Sequence, residues 1–359
     1  MVNAMRVLFR ADASLQIGTG HVMRCLTLAD RLRDAGAAVT FACHDGPGNL
    51  LDFIEKRQFS VFTLCGHLSE SRCQMDWERD AAQTEDVARG GRFAWLVVDH
   101  YSIDARWERR LRQMVPNVMV IDDLANRPHD CDLLLDQNFY PDMEQRYNEL
   151  VPKDCRQFLG PHFALLRSEF YRMRRKARPR SQGVKRILIS FGGADIDNQT
   201  SRALDAIELV LQRTRMPICV DVLLGAAFPH RVSLEERCSA LSWATSYVAC
   251  EHVGELMAAA DLSLGAGGVT VWERCAVGLP ALVITVATNQ RLVVEALARR
   301  GCLVDLGPAE DVTTEAISGA LESLLRQPSS LLELSERSYE LLGPDLEVNA
   351  AKLTGALFA

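Results

Sequence analysis

A histidine on the first turn of a helix, directly behind a glycine-containing turn, is the residue of this chain best placed to do chemistry. The segment runs Arg10-Ala11-Asp12, then Ile17-Gly18-Thr19-Gly20-His21, then onward to Arg24. A strand that passes through glycines into a helix amino terminus offers N–H groups and the positive end of the helix dipole to an anion. Gly18 and Gly20 let the backbone come close to it, and Arg24 on the helix adds a cation. Histidine, with an ordinary pKa of about 6.5, can take a proton from water near neutral pH, and His21 is placed to do so. Asp12 is the candidate carboxylate to orient it. The plainer alternative is a histidine that only caps the helix or touches phosphate. Gly18-x-Gly20 alone is a weak motif, since the dinucleotide fingerprint wants a third glycine where Met23 stands.

Two further segments repeat the arrangement. In Leu262-Ser263-Leu264-Gly265-Ala266-Gly267-Gly268-Val269-Thr270-Val271-Trp272-Glu273, a strand meets a glycine cluster and then a helix, another phosphate cradle. Glu273 falls about one helical turn in, where its carboxylate can accept both hydroxyls of a ribose. Otherwise it is a solvated glutamate on a helix face. Ser190-Phe191-Gly192-Gly193-Ala194-Asp195 forms the third such cluster. Asp99-His100-Tyr101 closes an apolar strand, so its side chains emerge at a carboxyl edge of the sheet, where sites form. Asn289-Gln290 begins a helix after another strand, and there Asn289 has the plain alternative of being an N-cap. The histidines at 44, 67, 129, 162, 230 and 252 show no ligand spacing and read as structural. His252 alone is a candidate neighbour of a base pocket.

The elements that must carry these groups follow from the hydrophobic pattern. Strands are expected at Arg6–Arg10, Val39–Cys43, Trp95–Asp99, Val118–Ile121 and Asp132–Leu135. His21–Ala35 reads as a helix with Val22, Cys25, Leu28, Ala29 and Leu32 on one face and Gly36 at its end. After the basic run YRMRRKARPRSQG the rhythm restarts, with strands at Arg186–Phe191, Ile218–Leu224, Leu262–Leu264, Ala281–Thr285 and Leu303–Asp305. The fold expected is α/β: two doubly wound units, 1–170 and 186–359, facing each other across a cleft. Residues 171–185 read as a solvated helix end and linker, with phosphate binding by its arginines the lesser reading. The last helix, about Ser329–Leu342, and the tail after Pro344 are free to pack back on the first unit.

Composition narrows the function. The 359 residues suit two domains, and 48% hydrophobic content supplies two cores. A formal charge of -7 argues against an electrostatic nucleic-acid binder. No run reaches the roughly 18 apolar residues needed to span a bilayer, and MVNAMRVLFR does not read as a signal peptide. The 11 cysteines are scattered without a C-x-x-C pair, which speaks against zinc or a disulfide framework and for a reducing, cytoplasmic compartment.

Taken together, RVLFRADASLQIGTGHVMRC, WLVVDHY, ISFGGAD, GAGGVTVWE and ATNQ resemble one family over nearly the whole chain and in order. It is the hydrolase family of pseudaminic acid biosynthesis, which removes UDP from UDP-2,4-diacetamido-2,4,6-trideoxy-β-L-altropyranose. The glycine clusters are also similar to those of the transferase that adds N-acetylglucosamine to lipid I. The resemblance implies the GT-B architecture, with a sugar-handling first domain and a UDP-binding second one. It implies His21 as catalytic base and Tyr101 as a pocket tyrosine. Gly267, Gly268 and Glu273 match diphosphate and ribose contacts, with Val269 and Thr270 between them, and Asn289-Gln290 match a pair near the phosphates. The implied reaction is hydrolysis with inversion at C1, without metal or cofactor, by a monomer or weak homo-oligomer; flagellin or surface-glycan decoration follows from the resemblance alone. The chain departs from the family in its longer end after Asp305 and in GAGG where some members are serine-rich. Two other readings stay open: a GT-B glycosyltransferase passing the sugar to an acceptor, and a non-catalytic UDP-sugar binding module.

Overall fold

In the computed structural model, which describes residues 4–65, 76–193, 195–225 and 228–359, the chain forms two compact units. One comprises Met1–Leu165 and Leu346–Ala359, the other Leu166–Asp345. The first alternates strand and helix: β1 (Arg6–Ala11), α1 (Gly20–Asp34), β2 (Ala38–His44), α2 (Leu51–Lys56), β3 (Ser60–Leu64), α3 (Trp77–Gly91) and β4 (Trp95–Asp99). It continues with α4 (Ala105–Leu111), β5 (Asn117–Ile121), β6 (Leu133–Asp136) and β7 (Arg156–Leu159). The strands pair in parallel in the order β3-β2-β1-β4-β5-β6-β7.

Parallel strands covered on both faces need apolar residues at consecutive positions. Along β1, Val7 and Phe9 join the core that holds Val22, Cys25, Leu28 and Leu32 of α1. Leu8 faces the other way, toward Trp107 and Leu111 of α4. Strand order reverses between β1 and β4, so the chains leaving these two strands part and open a crevice at their carboxyl ends. In that register Ala11 pairs with Asp99, so Asp12 and Asp99 both stand at the crevice.

The second unit holds α5 (Ser168–Arg174), β8 (Arg186–Ser190), α6 (Gln199–Thr214), β9 (Cys219–Leu224), α7 (Arg231–Ala240), β10 (Ala244–Val248), α8 (Val253–Ala259) and β11 (Leu262–Ala266). Then come α9 (Thr270–Ala276), β12 (Ala281–Thr285), α10 (Arg291–Arg299), β13 (Val304–Pro308), α11 (Thr314–Arg326) and α12 (Pro328–Leu341). Its parallel sheet runs β10-β9-β8-β11-β12-β13, with the same reversal between β8 and β11. The final helix, α13 (Leu346–Ala356), belongs to the first unit, where Leu353, Ala356 and Leu357 are buried in the same core as Val22.

Three strands depart from the sequence expectations: β3, β7 and β10 were not foreseen. Each is the outer strand of its sheet, and its side chains are half-exposed rather than buried. Edge strands need only one apolar neighbour, so their sequence signal is weak.

The basic run is a second departure. The boundary falls between Leu165 and Leu166, and residues 171–185 belong to the second unit instead of bridging as a solvated linker. Arg174 donates to the carbonyls of Ala276, Tyr339 and Gly343 while its guanidinium stacks 3.7 Å from the Tyr339 ring centre. Arg180, 1% exposed, donates to the carbonyls of Met257, Ala258 and Ala260. These are carbonyls at the end of α8 that the helix itself leaves unsatisfied. Arg174 and Arg180 thus reach carbonyls at helix ends from outside the helices.

Candidate active site

In the first unit the site is built on Asp99. Its Oδ1 lies 2.5 Å from His21 Nδ1 and accepts from Arg24 Nη2 at 2.7 Å, while its Oδ2 accepts from Arg24 Nε at 2.5 Å. Arg24 Nη1 reaches Asp123 Oδ2 at 2.9 Å, just beyond the end of β5. His21 and Arg24 are three residues apart on α1, so they lie on one helix face and meet the same carboxylate. Burial alone would raise the Asp99 carboxyl; Arg24 and then His21 outweigh it and hold the group well below the ordinary carboxylate range. An ionised carboxylate only accepts, so Nδ1 of His21 carries a proton toward it, and in the neutral imidazole Nε2 is the nitrogen with the lone pair. His21 is 7% exposed, and Tyr101 meets it edge-on with ring centres 4.5 Å apart. Burial first, then Asp123, pushes the Tyr101 phenol upward, and its hydroxyl hydrogen-bonds to Asp123.

Asp12, the expected partner of His21, is engaged elsewhere. It accepts from Arg10 Nη2 at 2.8 Å and from the His44 N–H at 2.7 Å, and His100 Nε2 lies 3.4 Å away. Arg10 is gripped in turn by Asp80, which also accepts from Trp107 Nε1. The reason is topological. The orienting carboxylate comes from β4, which lies beside β1 in the sheet although it is distant in the chain. Arg24, expected to contact ligand, is 3% exposed and fully occupied in positioning Asp99 and Asp123.

The turn ahead of α1 is also less open than expected. Gly18, at φ +76°, donates to Ser14 O and accepts from Ser14 N, while Ser14 Oγ accepts from the N–H groups of Gln16 and Ile17. The N–H of Gly18 is therefore committed to the turn. Gly20 opens α1 itself.

In the second unit, Gly267 and Gly268 follow β11, and Val269 leads to Thr270 at the start of α9. A Cβ at Gly265 would lie 2.1 Å from Ser190 O, so the ends of β8 and β11 approach closer than any side chain permits. Gln290 ties this loop: its Oε1 accepts from the N–H groups of Gly267 and Val286, both at 3.2 Å. Asn289 is exposed in the 3₁₀ turn Thr288–Gln290 ahead of α10. Glu273 is 9% exposed rather than solvated, and its Oε1 accepts from Arg167 Nη2 at 2.9 Å and Nε at 3.2 Å.

At the start of α6, beyond the third glycine cluster, the Asn198 side chain accepts from the Ser201 N–H. Asp195 accepts there from the N–H groups of Gln199 and Thr200. Gly192, at φ +89°, and Gly193 make the turn before it, and Ala194 lies outside the described residues. Side chains of the chain itself thus satisfy N–H groups at that helix end. His67 likewise lies outside the described residues.

Two functional candidates escaped the sequence reading. Asp123, the second of the Asp122-Asp123 pair after β5, had no motif to mark it. Arg167 lies ahead of the basic run, and its partner is 106 residues away. Among the described residues, no group of three or more His, Cys, Asp or Glu is arranged to hold a metal ion. No helix among them is long and apolar enough to cross a membrane.

No protein-family model matches the chain. Over 301 residues it is 27% identical to the UDP-2,4-diacetamido-2,4,6-trideoxy-beta-L-altropyranose hydrolase of Campylobacter jejuni, covering 84% of this chain and 99% of that one. The crystal structure of MurG from Acinetobacter baumannii superposes with a TM-score of 0.62 at 13% identity, covering 98% of this chain and 99% of that one. Arabidopsis thaliana UGT89C1, crystallised with UDP, gives a TM-score of 0.66 at 13% identity over 99% of this chain and 100% of its own. The resemblance read from the motifs therefore extends over 84% of the chain. The fold is the GT-B type expected, two doubly wound units.

Proposed function

We propose that this protein is a UDP-sugar hydrolase acting on UDP-2,4-diacetamido-2,4,6-trideoxy-β-L-altropyranose, with His21 as general base. The observation that carries the reading is the Arg24–Asp99–His21 chain. It fixes the proton on Nδ1 and leaves Nε2 as a base, and it does so within a sequence 27% identical to such a hydrolase. The catalytic groups belong to the first unit and the nucleotide contacts to the second.

In the proposed step Nε2 takes a proton from water as the water oxygen forms a bond to C1. The bond from C1 to the phosphate oxygen breaks and its electron pair leaves with UDP. The product is the free sugar with C1 inverted. UDP is a weakly basic leaving group, so N–H donors and helix dipoles suffice to stabilise its departure. Asp99 stabilises the imidazolium that forms, and Tyr101, neutral, packs its ring against the imidazole.

The test is UDP release from that substrate in EDTA, with no acceptor, by wild type and His21→Ala. Fast release by wild type and a loss of at least about 10²-fold in the variant, with UDP affinity retained, is the expected result. Near-wild-type turnover by the variant would sink the mechanism. Release that appears only when an acceptor is added would make the protein a transferase.

A further inference from the structure

We infer that Arg167 is the positioning residue that orients the Glu273 carboxylate toward ribose and so makes the second unit selective for a ribonucleoside diphosphate. The inference rests on the proposed reading of Glu273 as the acceptor for the ribose hydroxyls.

The geometry is that of a held fork. Both Arg167 donors to Glu273 land on a single oxygen, Oε1, from Nη2 at 2.9 Å and Nε at 3.2 Å. This sets the rotation of the carboxylate and leaves Oε2 outside the pair. The remaining nitrogen, Nη1, lies 2.9 Å from Glu169 Oε1, and Glu169 Oε2 accepts from the Gly254 N–H at 2.9 Å. The guanidinium carbon stands 5.1 Å from the centre of the Phe170 ring. Arg167 is thus fixed by α5, α8 and α9 together, and a planar fork fixed at three nitrogens imposes direction as well as charge.

Glu273 needs this support because it is buried. Burial raises its carboxyl, Arg167 opposes that by charge and hydrogen bond, Glu169 adds to the rise, and Arg274 on the same helix lowers it. Cys250, ahead of α8, faces Arg167. Arg174 of α5 meets the far end of α9 through the Ala276 carbonyl. Among these groups only Arg167 hydrogen-bonds to Glu273, so its loss leaves a buried carboxyl that burial drives toward the protonated form. A protonated carboxyl donates at one oxygen and no longer accepts from two hydroxyls as an ionised one does.

The experiment measures binding of UDP and 2′-deoxy-UDP by calorimetry between pH 5.5 and 8.5 for the full chain and for Glu273→Gln, Arg167→Ala and Arg167→Lys. Wild type is expected to prefer UDP by at least about tenfold, the low end for one or two hydrogen bonds to a charged group, with little pH dependence. Glu273→Gln loses the preference. Arg167→Ala loses it at low pH and regains part of it as pH rises and Glu273 ionises. If Glu273→Gln keeps the preference, the ribose reading of Glu273 is wrong and the inference falls with it. If Glu273→Gln loses it while Arg167→Ala keeps it at every pH, the Arg167 inference alone is overturned. Circular-dichroism melts check folding. Should Arg167→Ala not fold, Arg167→Lys decides: a reduced preference supports the fork, and the full wild-type preference overturns it.

Discussion

The crevice at β1 and β4 and the crevice at β8 and β11 occupy the same place in the same topology, yet they are built from different materials. The first is lined by ionised side chains: Arg24 spans Asp99 and Asp123, Arg10 spans Asp12 and Asp80, and His21 leans on Asp99. The second has backbone at its loop, with glycines where β8 and β11 draw together and Gln290 bonded to them, and its ion pair, Arg167–Glu273, stands on the helix that follows. The difference fits the two tasks proposed. Aiming a base requires a side chain whose tautomer and rotamer are fixed by buried charge. Embracing a diphosphate requires N–H groups at close range, which side chains would obstruct.

If the comparison is right, damage to the first unit should appear in kcat and damage to the second in affinity. The largest effect is expected for Asp99→Asn, which removes the ionised acceptor that dictates the His21 tautomer. Turnover should fall by about 10²–10⁴-fold with UDP affinity kept, read from UDP release and calorimetry. Asp12→Asn, in the neighbouring network but off His21, should cost less than about tenfold; a loss equal to that of Asp99→Asn would return Asp12 to the role first expected of it. Next is Gly267→Ala, whose Cβ would come within 2.3 Å of Val294 Cγ2. The loop must shift, and UDP binding should weaken by roughly tenfold, a cost of about 1.4 kcal/mol, while turnover at saturation stays near wild type. A drop in kcat alone would break the division of labour.

The smallest effect concerns pH. Asp136 is pushed up to about 7 by burial and by Asp123, against the opposing charge of Arg146. Unfolded, an aspartate titrates near pH 3.9. Between these two values the folded chain binds the extra proton, so stability falls as pH rises toward about 7, by at most about 1.4 kcal/mol per pH unit, and levels off above it. Thermal midpoints from pH 5 to 8 should decline in wild type and decline less in Asp136→Asn. Equal slopes would show that this carboxyl does not titrate there.

The sequence was most legible where a signal is local. Trp95–Asp99 and Ala281–Thr285 were read to the residue because central parallel strands are apolar at consecutive positions along most of their length. The helix behind Gly20 was plain from its apolar face, and His21 from its place on the first turn. The edge strands Ser60–Leu64, Arg156–Leu159 and Ala244–Val248 were not, since half-exposed strands carry no such run. The site was legible as a set of residue types but not as a set of pairs. Asp12 is nine residues from His21 and was the natural partner; Asp99 is 78 residues away and is the actual one.

What the sequence determined by itself is where the central strands run, where the glycines let backbone turn, and that a histidine stands at a helix start behind β1. Propensity, periodicity and backbone sterics act over a few residues, and a chain displays them openly. Tertiary structure decided the rest: that β4 lies beside β1, that Arg24 turns inward to two aspartates, and that Arg167 holds Glu273. Each of these depends on strand order and on the demand that every buried charge find a partner, and neither is written in any short stretch of chain.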